Sequence, residues 1–222
     1  MITHDKFIYL RLQKTGSNFV AKFLKKFYQI KEHRESVHGA KTGHLGLTKK
    51  PDNKFVFCGI RNPWDWYVSF WSMVLNDPHR GPQFLVNGRE FSQFLDFILN
   101  KKTGKSLQMF NFDRMRELNI GLYGHEYYRI CCVNSQHLYK LEVGEESIDG
   151  VYRMENMIPS FIELFEKNVE KLNDKQKSFL TNSKKVNRFP HKHYSEYYND
   201  ELKEMVLSKE KYIINKYNYK FE

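Results

Sequence analysis

The chain has 222 residues, a formal net charge of +10, 41% hydrophobic residues and 16% aromatic residues. That length suits one domain with a sizeable core, and the composition excludes an intrinsically disordered chain. No apolar run approaches the roughly 20 residues needed to span a bilayer, and no charged stretch leads into an apolar one at the N-terminus, so neither a membrane anchor nor a signal peptide is expected.

The three cysteines, Cys58, Cys131 and Cys132, suit neither a disulfide framework nor a zinc site and read as reduced, intracellular thiols. The positive charge attracts polyanions, nucleic acid among them. It is spread along the chain without a long basic block, so a small polyanionic ligand, an anionic polymer or a solvated lysine surface accounts for it equally.

In chain order, Lys6–Leu12 alternates as a strand, and Phe19, Val20, Phe23, Leu24 and Phe27 then fall on one helical face. After a glycine-broken stretch, Phe55–Ile60 reads as a buried parallel strand. Asn62 and Pro63 are the cap and first residue of a helix running to Leu75. A further helix is predicted over Glu90–Leu99. Residues 101–134 carry no clean period. Strands are predicted at His137–Val143 and Val151–Met154, helices over Ser160–Lys171 and Asp174–Thr181, and a last helix from Asn199–Asp200. Strands alternating with helices imply an α/β domain with a mainly parallel sheet, whose ligands sit at the carboxyl ends of the strands.

Two segments at such ends carry chemistry. Lys14-Thr15-Gly16-Ser17 lies between the first strand and the first helix, where backbone N–H groups and the helix dipole favour an anion. Gly16 allows close approach, Thr15, Ser17 and Asn18 add short polar groups, and Lys14 adds a charge. The triphosphate-binding pattern G-x-x-x-x-G-K-[ST] is absent, which points to one phosphate-sized group bound without a metal. Taken alone, the same residues also read as an ordinary capped turn. Arg61 closes the second strand and Ser69 follows on its helix. An arginine fork suits phosphate, but taken alone the spacing favours a structural Arg61 paired with a nearby carboxylate such as Asp65.

Taken together, these segments resemble the sulfotransferases that use 3′-phosphoadenosine 5′-phosphosulfate (PAPS), the carbohydrate-type enzymes most of all. Gln13–Ser17 is similar to their 5′-phosphosulfate loop, P/Q-K-T-G-G/S-T. Phe57–Ser69 is similar to their 3′-phosphate motif, F-x-x-R-N-P-W-D-R-x-x-S. Val151–Met157 resembles the later R-F-E-N-L segment, and Tyr194–Tyr198 with Lys216–Phe221 resembles the closing Y-x-x-Y-Y and G-Y-x-F. Trp66 replaces a second arginine and Asn18 replaces Thr or Ser. Residues 76–135 match nothing in the pattern and are expected to hold much of the acceptor site.

The resemblance implies one sulfotransferase domain over residues 1–222, a three-layer α/β/α fold with a central, mostly parallel sheet and a P-loop-like donor site. It implies that Lys14, Thr15, Gly16, Ser17 and Asn18 bind the 5′-phosphosulfate and that Arg61 and Ser69 bind the 3′-phosphate. The linker Ser183–His193 would fold over the nucleotide, with Arg188 or Lys184 in contact. The implied activity is metal-independent sulfuryl transfer in the cytoplasm from PAPS to a hydroxyl, of a carbohydrate on the motif style, with neither nucleic acid nor membrane as partner. Lys14 would neutralise charge on the leaving oxygen. His44 would be the general base, with His38, Glu35 and Glu32 behind it. A magnesium-dependent nucleotide kinase, a basic nucleic-acid-binding module and an inactive relative are the competing readings.

Overall fold

Two apolar runs form the centre of the sheet. Phe7–Leu10 (β2) is buried throughout and Phe55–Ile60 (β6) almost throughout, as befits strands covered on both faces. They pair in parallel, with Leu10 opposite Cys58. Gly150–Arg153 (β7) pairs in parallel with the other side of β6. The two-residue strands Ile2–Thr3 (β1) and Lys31–Glu32 (β3) finish the opposite edge in antiparallel fashion, giving a five-stranded sheet in the order β3-β1-β2-β6-β7. Glu35–Val37 (β4) and Ala40–Thr42 (β5) form a separate antiparallel pair. This computed structural model describes residues 1–33, 35–37, 40–42, 46–47, 49–77, 88–100, 115, 119–132, 146–183 and 189–222. The strand expected at His137–Val143 lies outside them.

The described chain divides into two compact units, Met1–Arg61 with Tyr127–Arg188, and Asn62–Glu126 with Phe189–Glu222. In the first, the helix Ser17–Phe27 (α1) turns Phe19, Val20, Phe23 and Leu24 inward. Met157–Asn168 (α5) contributes Phe161 and Phe165, and Asp174–Asn182 (α6) contributes Leu180. These side chains meet Phe7, Tyr9, Phe57 and Tyr152 in one ring-rich cluster on a single sheet face. On the opposite face Cys131 Sγ, from the helix Leu122–Cys131 (α4), lies 3.6 Å from Cys58 Sγ. The first unit is therefore α/β with side chains packed on both faces of its sheet, and the three cysteines are buried free thiols.

Helix starts follow their caps. Asn62 accepts the Trp64 N–H at 3.0 Å and Pro63 opens Pro63–Asn76 (α2). Asn173 and Gln176 bond reciprocally at 3.0 and 2.9 Å at the head of α6. Phe91–Leu99 (α3) begins one residue later than the sequence predicts. Helix α4 falls in the stretch without a period, because it is buried on nearly every side, including Tyr123, Tyr127, Ile130 and Cys131, and so presents no polar stripe. Among the described residues no helix is long and apolar enough to cross a membrane.

The single C-terminal helix expected from Asn199–Asp200 is broken into Asp200–Lys209 (α7) and Lys211–Tyr217 (α8). The break has a cause in the second unit. The Gly121 N–H takes the Lys209 carbonyl at 3.0 Å, and Glu210 turns its side chain to the start of α4. Glu210 Oε1 accepts from the Tyr67 hydroxyl at 2.6 Å and from the Tyr123 N–H at 3.1 Å. Gly121 leaves the space, since a Cβ there would stand 2.2 Å from Glu210 Oε1.

Burial pushes the Glu210 carboxyl from its ordinary 4.5 up to about 8, against the pull of Tyr67 and the Gly124 and Tyr123 amides. The folded protein therefore keeps a proton that the unfolded chain loses between about pH 4.5 and 8. Stability falls as pH rises through that window. Glu210→Gln keeps the acceptor and removes the ionisation. Its thermal midpoint, followed by circular dichroism, is expected to decline less steeply between pH 5 and pH 8 than that of the wild type.

Candidate active site

The parallel pairing of β2 and β6 sets their carboxyl ends side by side. The β2 end leads into the turn Leu12–Gly16, whose backbone alternates in hand. Lys14 has φ 61° and Gly16 has φ 72°, while Thr15 between them is not left-handed. Alternation of this kind curls the chain so that successive N–H groups line a concavity suited to an anion. Gly16 is the N-cap of α1 and brings no side-chain acceptor, and the first turn has no acidic residue. The positive end of the helix is thus left without an anionic side chain of its own first turn.

Three side chains fasten this turn. Thr15 is fully buried and its hydroxyl donates to the Leu12 carbonyl at 2.9 Å. Arg61, just past the end of β6, donates from Nη1 to the Lys14 carbonyl at 3.2 Å. Tyr152, on β7, donates to the Thr15 carbonyl at 3.0 Å. Thr15 therefore serves the turn with its side chain, which leaves its backbone N–H as the group to offer a ligand. Behind the turn stand two thioethers: a Cβ on Gly16 would lie 2.4 Å from Met157 Sδ and 3.0 Å from Met154 Sδ.

A charged cluster flanks the same helix start. Arg11 donates from Nη1 to Glu32 Oε1 at 2.8 Å and from Nη2 to Asn18 Oδ1 at 2.5 Å. Lys25 reaches Glu32 Oε2 at 2.7 Å. Because the Asn18 carbonyl oxygen is engaged by Arg11, its amide nitrogen is the end available as donor. Sequence reasoning missed Arg11 and Tyr152 and placed Glu32 only among the lesser base candidates. The visible signal for Arg11 was a charge directly after four apolar strand residues.

The structure brings Lys14, Thr15, Gly16, Ser17, Asn18 and Arg61 together beyond the carboxyl ends of β2 and β6 in the first unit. Ser69 is buried on α2 in the second unit. His44, the expected base, lies outside the described residues, as do His38, Lys184 and Arg188. Glu35 lies on β4. Among the described residues no group of three or more His, Cys, Asp or Glu side chains is arranged to hold a metal ion.

Residues 1–213 match the sulfotransferase family profile. A solved structure, mouse sulfotransferase SULT7A1 complexed with PAP, is similar at 13% identity and a TM-score of 0.44, over 92% of this chain and 84% of that one. No curated protein matches.

Gly16 is constrained twice, by its left-handed φ and by the two sulfur atoms behind it. Gly16→Ala is expected to cost about 1–3 kcal/mol, read as a lowered urea midpoint at unchanged slope.

Proposed function

Because the chain belongs to the sulfotransferase family, we propose that it moves the sulfuryl group of PAPS onto an acceptor hydroxyl, that of a carbohydrate, without a metal ion. The observation that carries this reading is the turn between β2 and α1, whose Lys14 carbonyl is bonded to Arg61 at 3.2 Å. A cradle of backbone amides at a helix start and an arginine fork lie at adjoining strand ends, which suits a ligand with two anionic groups.

In this reading the amides of Thr15, Gly16 and Ser17 receive the 5′-phosphosulfate, with the Asn18 amide group beside them. Arg61 and, by its place in the motif, Ser69 receive the 3′-phosphate. Arg188 is the contact offered by the linker. The acceptor oxygen forms a bond to sulfur as the bridging oxygen of the donor leaves in line, and little covalent help from protein groups is needed. Lys14 supplies the ammonium that neutralises the leaving oxygen, so the interaction strengthens as the bond breaks. His44 takes the acceptor proton. Glu32 is a weaker choice for that role, because Arg11 and Lys25 occupy its two oxygens.

Two substitutions separate binding from chemistry. Arg61→Ala is expected to weaken calorimetric binding of 3′-phosphoadenosine 5′-phosphate by at least about tenfold; unchanged affinity removes Arg61 from the donor site. His44→Ala is expected to abolish sulfation in a screen of glycans and small alcohols while nucleotide affinity holds. Full turnover in that variant rejects the base assignment.

A further inference from the structure

The mechanism above uses the amides of the turn but not what aims them. Tyr152 and Tyr9 are fully buried on the sheet face under the turn. Their hydroxyls are 2.7 Å apart, and Tyr152 Oη is 3.0 Å from the Thr15 carbonyl oxygen. A carbonyl oxygen can only accept, so the single Tyr152 proton goes to Thr15, and Tyr9 must donate to Tyr152. Burial pushes both phenols up, Tyr9 well above its ordinary value and Tyr152 likewise, so this direction of donation holds across the working range of pH.

A second feature fixes the ring. Tyr152 pairs across the sheet with Gly59. A Cβ at Gly59 would stand 2.4 Å from Tyr152 Cζ and 2.5 Å from its Oη. Gly59 does not have a left-handed φ, so its lack of a side chain serves space and not backbone conformation. The phenol lies across a gap made for it and reaches the turn.

The peptide joining Thr15 to Gly16 is planar and trans, so its C=O and N–H point in opposite directions. A donor beneath the carbonyl therefore turns the amide the other way. We propose that Tyr152 is a positioning residue for sulfuryl transfer: its hydroxyl, seated over Gly59, anchors the Thr15 carbonyl to the sheet and so aims the Gly16 N–H at the anion of the donor. This rests on the donor reading given above.

Three variants test it in the full chain. Tyr152→Phe keeps the ring and removes the anchor. It is expected to weaken calorimetric affinity for 3′-phosphoadenosine 5′-phosphate, and to raise the donor KM, by about tenfold, with the acceptor KM unchanged. Tyr9→Phe also removes one buried hydrogen bond, yet leaves the Tyr152 anchor. Its thermal midpoint is expected to fall by a similar amount while affinity stays within about twofold. Gly59→Ala keeps both phenols in the chain but pushes the Tyr152 ring and its Oη away from the Thr15 carbonyl, and is expected to behave as Tyr152→Phe.

Equal losses of affinity in Tyr152→Phe and Tyr9→Phe, or wild-type affinity in Tyr152→Phe, overturn the proposal. A ligand-free readout separates it from the donor reading. Amide exchange at Gly16 is expected to quicken about tenfold in Tyr152→Phe and to stay unchanged in Tyr9→Phe. A wild type that fails to bind the nucleotide defeats the donor reading alone, whereas unchanged Gly16 exchange in Tyr152→Phe defeats the anchor.

Discussion

Two consecutive carbonyls, those of Lys14 and Thr15, are held from outside the turn that contains them, one by Arg61 and the other by Tyr152. The backbone amides of the turn depend on that pair of bonds for their direction. A turn with left-handed residues at Lys14 and Gly16 gains little from local propensity, because a left-handed non-glycine residue costs about 1–2 kcal/mol. Its shape has to be imposed. The two donors come from the residue just past the neighbouring parallel strand β6 and from the next strand, β7, so the order β2-β6-β7 is what supplies them. Parallel pairing brings three strand ends to one edge, and the middle and outer strands steady the turn that leaves the first.

The charged cluster beside α1 follows the same logic. Arg11 sits where β2 gives way to the turn, and its side chain is mostly withdrawn from water along with that of Glu32, at 11% and 14% exposure. A largely buried pair of this kind adds little net stability, because desolvation offsets the attraction. Its effect is on geometry. One guanidinium joins β3 to the first turn of α1 through Asn18. The helix start is thereby tied to the sheet edge, while the Asn18 amide nitrogen keeps its donors.

What the sequence made legible was local. Asn62-Pro63 announced α2, and the run Phe55–Ile60 announced a buried strand, because caps and apolar runs act through neighbouring residues. Helix α4 escaped since a helix covered on nearly all sides has no polar face to alternate with. β1 and β3 escaped because two residues cannot carry a period. At the site, Gly16 and Arg61 stood out by residue type. The anchor from Tyr152 did not, because it joins residues 137 positions apart, and the small partner opposite it, Gly59, acquires meaning only once the register of β6 and β7 is known.

The buried carboxyl of Glu210 has a consequence for how order is lost. The Glu210 backbone ends α7 and begins α8, and its side chain receives the Tyr123 N–H in the first turn of α4, so the head of α4 depends on the junction of the other two. Fraying, which ordinarily starts at termini, has no cheap entry there. Opening the junction at Glu210 strips the head of α4 of the Lys209 carbonyl and the Glu210 carboxyl together, so a local loss of order at the C-terminal helices is passed on to a helix nearly ninety residues away in the chain.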